Sequence, residues 1–256
     1  MTEQIFYTLF FFVIGILSGS FFNVVGLRVP KKESIVFPGS HCTTCDRSLK
    51  WYELIPVFSY LFLRGKCKTC STKISPIYPI MEFITGVLYA SIIYYYGLTS
   101  SSLYFLVLVS LLVIITVSDL KYQIIPNKVL VVFTVLFIPL IIFSNVIGWK
   151  DSLIGLGAAI LFNVLILLLS KGRGIGGGDV KLFLLLGLVL GWKALVIIFM
   201  VSVVVGLVVG LYFKYVKKVR EFPFGPSIAF AVVITIFFGN ELLYWYLTTF
   251  TNLAIV

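Results

Sequence analysis

Apolar residues in this chain run in long, nearly unbroken stretches, of which 103–117 and 153–169 are the clearest. Each approaches the roughly 20 residues that cross a bilayer as a helix. Neither shows the period-two alternation of a membrane barrel strand, so the pattern predicts an all-α, polytopic membrane protein. Charged residues and Gly/Pro breaks divide the chain into eight predicted helices, at 4–27, 79–97, 102–118, 128–147, 152–170, 180–191, 194–213 and 226–248. The sixth is too short to cross a full bilayer at 1.5 Å per residue unless the break at Gly191, Trp192 and Lys193 lies in the interface. Three parts follow: a first transmembrane helix at 1–27, a polar loop at 28–78 and a larger membrane domain at 79–256.

Composition agrees with this division. Of 256 residues, 60% are hydrophobic and 12% charged, and the mean hydropathy of +1.11 excludes an ordinary soluble domain. Glu3 precedes the first apolar run with no Lys or Arg before it, which predicts a retained anchor and not a cleavable signal. The net charge of +10 is explained by topology. With the N-terminus outside, the inside segments hold nine Lys/Arg in 28–73, then Lys121, Lys128, Lys171, Arg173, Lys181, Lys214, Lys217, Lys218 and Arg220, eighteen of the twenty. Lys150 and Lys193 fall in short outside turns. Positive charge thus lines one membrane border and does not form the basic face of a nucleic-acid-binding domain.

Seven of the ten acidic residues sit in loops or tails, and Glu82, Asp119 and Asp179 lie at or within helix ends, where an ionised carboxylate is costly unless paired, hydrated or functional. Asp119 closes the third helix in Val117-Ser118-Asp119-Leu120-Lys121; Asp179 opens the sixth in Gly176-Gly177-Gly178-Asp179-Val180-Lys181. The charge count puts both at the inner border. Two carboxylates meeting around one water cannot both ionise, so one accepts a proton from the attacking water while the other donates one. That is the chemistry of an aspartyl peptidase, and the glycines before Asp179 would let a substrate strand approach. The alternative is that Asp179 caps its helix and Asp119 neutralises Lys121. Other chemistries fit poorly. The single histidine, His41, lies in the polar loop, HExxH is absent, and the glycine-rich 172–178 segment lacks GxxxxGK[ST].

All four cysteines fall in the 28–78 loop as two CxxC pairs, Cys42 with Cys45 and Cys67 with Cys70, twenty-one residues apart. This spacing is that of a four-thiolate zinc ribbon, and placement in the reducing cytoplasm disfavours disulfides. A loop this small and polar would draw its folding energy from the metal. Between the pairs runs the aromatic stretch 51–63, which either lies on the membrane surface or fills the ribbon.

Several motifs in fixed order resemble the bacterial type IV prepilin peptidases, of the GxGD aspartyl class: GSFFNVV from Gly19 followed by Arg28 and Pro30, the paired CxxC, WYELIP from Trp51, YPIME from Tyr78, SDLKYQIIPN from Ser118, GGGD followed by Lys181, and FPFGPSIAF from Phe222. The resemblance covers almost the whole chain. It implies Asp119 and Asp179 as the catalytic pair, with Gly176, Gly177, Gly178, Lys181, Pro223, Gly225 and Pro226 in the substrate loops. It implies prepilins and pseudopilins as substrates, cut after a glycine at the cytoplasmic face of the inner membrane for type IV pilus assembly or protein secretion. It also implies N-methylation of the new terminus from S-adenosylmethionine, with Glu53, Glu82 and Gly86 as candidate cofactor residues. No Rossmann-type GxGxxG unit is present, so that cofactor site would be unconventional. An ion- or proton-coupled transporter is the alternative; it would place acids near the bilayer midplane in related halves, and no internal repeat is evident.

Overall fold

The computed structural model describes residues 2–144, 146–171, 176–219 and 222–250; Arg173, Arg220 and the 172–175 part of the glycine-rich loop lie outside them. Among the described residues eight α-helices form: α1 (Thr2–Arg28), α2 (Phe58–Phe62), α3 (Ile77–Tyr96), α4 (Ser100–Tyr122), α5 (Asn127–Phe143), α6 (Trp149–Leu169), α7 (Gly177–Tyr215) and α8 (Gly225–Phe250). Among the described residues there is no strand, only two isolated bridges in the cysteine loop. Of the helices in the described residues, six are long and apolar enough to span a membrane: α1, α3, α4, α6, α7 and α8, the last over Gly225–Tyr246; the 17-residue α5 is shorter.

Every predicted apolar segment is helical, with two differences. The fourth ends at Phe143, short of the expected 147. The sixth and seventh remain two helical segments of α7 divided at Gly191, as expected, but they meet directly there at a kink with no intervening turn; the φ of 79° and ψ of 175° at Gly191 are non-helical, open to glycine and strained for any other residue.

The chain forms two compact units, Met1–Lys121 and Tyr122–Val256. In the first, α1 and α3 pack antiparallel through small residues. A β-carbon on Gly15 would stand 2.8 Å from the Gly86 α-carbon, and one on Gly19 would stand 2.9 Å from the Glu82 α-carbon. One turn further, Asn23 donates to the Tyr78 carbonyl at 3.1 Å. Gly26 faces α4, where a β-carbon would meet Ile114 and Val117. The other face of α1, with Phe6, Leu9, Phe10, Val13, Leu17 and Phe21, is exposed, as a lipid-facing surface must be. Helix α4 is the opposite case. It is buried over most of its surface from Tyr104 to Asp119, and it joins α3 through a 2.7 Å bond between the Tyr89 and Ser110 hydroxyls.

The second unit repeats this device on new helices. The buried residues of α6 are Ser152, Gly155, Ala159 and Asn163, a one-turn stripe against α7. Gly155 and Gly187 each abut the other's carbonyl, and Ala159 adjoins Gly187. Ser152 donates to the Leu188 carbonyl and Asn163 to the Val180 carbonyl. Small-x3-small-x3-Asn therefore occurs in both α1 and α6, each time closing on the first turn of an antiparallel partner. Interhelical bonds of this kind contribute roughly 0.6–2 kcal/mol in lipid, and close approach supplies the remainder through dispersion.

Gly155→Val would push α6 from α7 and is expected to lower the thermal midpoint in detergent by several degrees. Gly157→Ala, whose β-carbon meets nothing within 4 Å, should be neutral or stabilise by up to about 1 kcal/mol. Equal destabilisation by both would contradict the stripe.

Candidate functional site

The two cysteine pairs adopt one backbone pattern twice. In the first, the Cys42 N–H donates to the Arg47 carbonyl and the Asp46 N–H to the Cys42 carbonyl; in the second, Cys67 donates to Thr72 and Ser71 to Cys67. Asp46 and Ser71 both have positive φ, 51° and 57°. Bridges His41 to Ser48 and Lys66 to Lys73 close the two turns. This repeat, offset by twenty-five residues, aims both cysteines of each pair inward. All four Sγ atoms lie within 4.8 Å of one another, and the Cys42 and Cys70 Sγ atoms are 3.6 Å apart. A tetrahedral metal with bonds of about 2.3 Å sets sulfurs about 3.8 Å apart, so the donor set and spacing fit a four-thiolate ion. Backbone N–H groups of Cys70 and Thr69 aimed at Cys67 hold its thiol down at about 6, so it is largely thiolate at neutral pH.

Arg47 and Glu53 brace this cluster. The Arg47 guanidinium makes two bonds to the Glu53 carboxylate, at 2.8 and 3.0 Å, and also reaches Cys67. The Lys50 N–H adds a third bond to Glu53 at 2.9 Å. Arg47 first, and Lys50 second, hold the buried Glu53 carboxyl down at about 2, so it stays ionised. The second cysteine turn is tied in by Lys68, whose ammonium lies 5.4 Å from the Tyr52 ring centroid.

Glu82 does different work from Glu53. Its buried carboxylate accepts the Val57 N–H at 2.7 Å and a bond from Ser20, and among the described residues no Lys or Arg pairs with it. Val57 has φ 63° and ψ −55°, with the Phe58 N–H bonded to the Pro56 carbonyl at 2.7 Å. This is a γ-turn with positive φ at a β-branched residue, a conformation costing about 1–3 kcal/mol unless its surroundings enforce it. Gly86 lies one turn beyond Glu82, filling the α1 contact with Gly15.

Asp119 is buried in the last turn of α4, in the first unit. Asp179 is half-buried in the first turn of α7, in the second. Gly176 is the extended residue before α7, and a β-carbon there would stand 2.8 Å from Asp179 Oδ2, so the carboxylate folds back over it. A β-carbon on Gly178 would stand 3.0 Å from Ile125, which is buried, and Lys181 Nζ donates to Asn127 Oδ1 at 2.9 Å. Within the second unit, Ile125 and Asn127 are therefore seated on the first turn of α7.

In the same unit Phe224 lies over Gly206 and Phe222 over Gly210 of α7, so a GxxxG stripe receives aromatic rings in place of a partner helix. The two rings meet edge to face at 6.4 Å. Pro223 and Gly225 are buried between and beside them, and Pro226 enters the first turn of α8. Sequence reasoning missed Arg47, Ser20, Ile125, Asn127 and Asn163. The last had a legible signal, an amide in an otherwise apolar span four residues from a small residue.

Residues 13–96 match the model of the bacterial peptidase A24 N-terminal domain, and residues 106–211 that of the type IV leader peptidase family. A Bacillus subtilis (strain 168) protein named prepilin leader peptidase/N-methyltransferase is 36% identical over 239 residues, covering 92% of this chain and 96% of its own. A Neisseria gonorrhoeae protein of the same name is 34% identical, covering 92% and 93%. One from Myxococcus xanthus (strain DK1622) is 36% identical, covering 80% and 62%. No solved structure matches significantly. Matched in order by both domain models and over nearly full length by these relatives, the chain belongs to the type IV leader peptidase family, whose curated members are named prepilin leader peptidase/N-methyltransferases.

Proposed function

We propose that this chain is an aspartyl endopeptidase of the bacterial inner membrane that removes the leader of type IV prepilins and pseudopilins after a glycine, and then methylates the new N-terminus. Relatives named for both activities support it, whereas the transporter alternative finds no support among them. Asp119 and Asp179 are the proposed acid–base pair. One carboxylate takes a proton from water as it attacks the scissile carbonyl, and the other, protonated, donates to the leaving amine. The observation that carries this reading is the seat of Ile125 on Gly178, with the Asn127–Lys181 bond beside it. It holds residues 125 and 127 against the helical turn bearing Asp179 and so gives that carboxylate a fixed backbone, while the pairing with Asp119 rests on the family. Gly176, Gly177 and Gly178 are the proposed substrate loop, with Gly176 and Gly177 exposed for an extended substrate, and Pro223, Gly225 and Pro226 form a stiffened entry to α8. The positive-inside count supports an outside N-terminus and chemistry on the cytoplasmic side.

Zinc is the ion proposed for Cys42, Cys45, Cys67 and Cys70, where its role is to close the loop. S-adenosylmethionine, when bound, supplies an electrophilic methyl group for the exposed pilin amine. Glu53, Glu82 and Gly86 are the residues proposed around it. The buried Glu82 carboxylate complements a sulfonium charge, Glu53 fixes the loop through Arg47, and Gly86 lets α1 and α3 close below.

Asp119→Asn and Asp179→Asn are each expected to lower prepilin cleavage by about 10²–10⁴-fold with an unchanged melting profile in detergent. Retained cleavage by both would falsify the pair. Gly176→Ala displaces a flexible carboxylate and not backbone, so its stability should change by less than about 0.5 kcal/mol while turnover falls; turnover equal to that of the parent protein would separate Asp179 from the chemistry. Cys42→Ser with Cys45→Ser should release the metal, measured by elemental analysis, and open 42–70 to limited proteolysis. A parent protein purified without zinc would overturn that assignment.

A further inference from the structure

The aromatic segment between the cysteine pairs has one anchoring point that fixes its depth. Val57 donates to Glu82, which lies five residues into α3 from Ile77. At 1.5 Å per residue this is about 8 Å below the start of that helix. On α1 the same level is marked by Ser20, which also bonds Glu82 and lies about 12 Å short of the helix end at Arg28. The turn at Val57 therefore does not rest on top of the α1–α3 pair. It descends beside it, to a level where both helices are already apolar.

What the segment shows at that depth is greasy. Trp51 is 78% exposed, Phe58 55%, Leu61 64% and Phe62 85%, with Leu54 and Ile55 also exposed. Phe58, Leu61 and Phe62 share one face of α2 by their spacing of three and four. These residues are not filling the ribbon, because the cysteine cluster is braced by Arg47, Glu53 and the two knuckle turns without them. Basic residues flank them: Lys50 before, and Arg64, Lys66, Lys68 and Lys73 after, while the one acid within the stretch, Glu53, is already neutralised by Arg47. An apolar face at interfacial depth bordered by uncompensated cations matches an anionic lipid surface.

We propose that residues 51–62 form a membrane wedge, pinned by the Glu82–Val57 hydrogen bond, which inserts Trp51, Phe58, Leu61 and Phe62 among anionic lipids at the headgroup–acyl boundary. The strained turn at Val57 gives the bond its purpose. It reverses the chain between Trp51 and the α2 residues Phe58, Leu61 and Phe62, so that apolar side chains on both sides of the turn reach the boundary and the second cysteine pair returns to the aqueous side.

The test uses the full-length protein in nanodiscs, with Trp149, Trp192 and Trp245 replaced by Phe so that Trp51 alone reports. In discs containing phosphatidylglycerol, Trp51 should emit at short wavelength, lose roughly half or more of its emission when the lipid is brominated, and resist aqueous acrylamide, as an interfacial indole does. In pure phosphatidylcholine the bromine effect should shrink and become sensitive to salt. Glu82→Ala should shift the emission to the red and abolish the bromine effect, whereas Glu82→Gln, which keeps an acceptor for the Val57 N–H, should preserve both. Emission quenched by acrylamide and not by brominated lipid overturns the wedge. So does shielding from both quenchers that changes with protein concentration or on adding prepilin, which would assign the face to a second copy or to the substrate.

Discussion

In lipid an apolar side chain gains nothing by exchanging one apolar neighbour for another, so helices can be held together only by unusually close approach and by satisfied polar groups. Both units of this chain rest on that constraint. Gly15, Gly19 and Asn23 on α1, and Gly155, Ala159 and Asn163 on α6, form the same one-turn ladder, with the amide closing on a carbonyl in the first turn of the partner helix. The outer sides of these helices carry large exposed apolar residues. Specificity therefore resides in the smallest side chains of the most hydrophobic helices.

The ladder has a consequence for chemistry. Asn163 grips the Val180 carbonyl, next in sequence to Asp179, and Ile125 covers Gly178 on the other side. The glycine run that leaves room for a substrate would otherwise have the least ordered backbone of the chain. Fixing it from two neighbours restores a defined position to the carboxylate while leaving Gly176 and Gly177 exposed. Flexibility is needed for approach and rigidity for proton transfer, and the two are assigned to different atoms of one turn.

The cysteine loop solves the opposite problem, since it has too little apolar material to fold by burial. Its two hairpin turns are the same structure used twice, and their thiols meet at metal-like spacing. Arg47 links the metal cluster to Glu53, and Glu82 links the loop to the membrane helices through Val57. Charge is used sparingly in this chain, and each buried carboxylate of the loop region fixes one turn of backbone.

Much of this was legible beforehand because its signals are local. Length of apolar run specifies a membrane helix, CxxC repeated at a ribbon's interval specifies a thiolate cluster, and an Asp behind three glycines stands out in a chain with ten acids. Even the division at Gly191 was visible as a break. Other features depend on which surfaces face each other, and that is settled by packing between residues far apart in sequence. Nothing near Phe222 announces that it will lie on Gly210, nor does Val57 announce that its N–H will find Glu82 twenty-five residues later. The chemical inventory and the helices were thus set by the order of residues, through periodicity and spacing. The partner of each glycine, amide and carboxylate was decided only by tertiary structure, because close contact between helices is a property of two surfaces and neither carries a local record of the other.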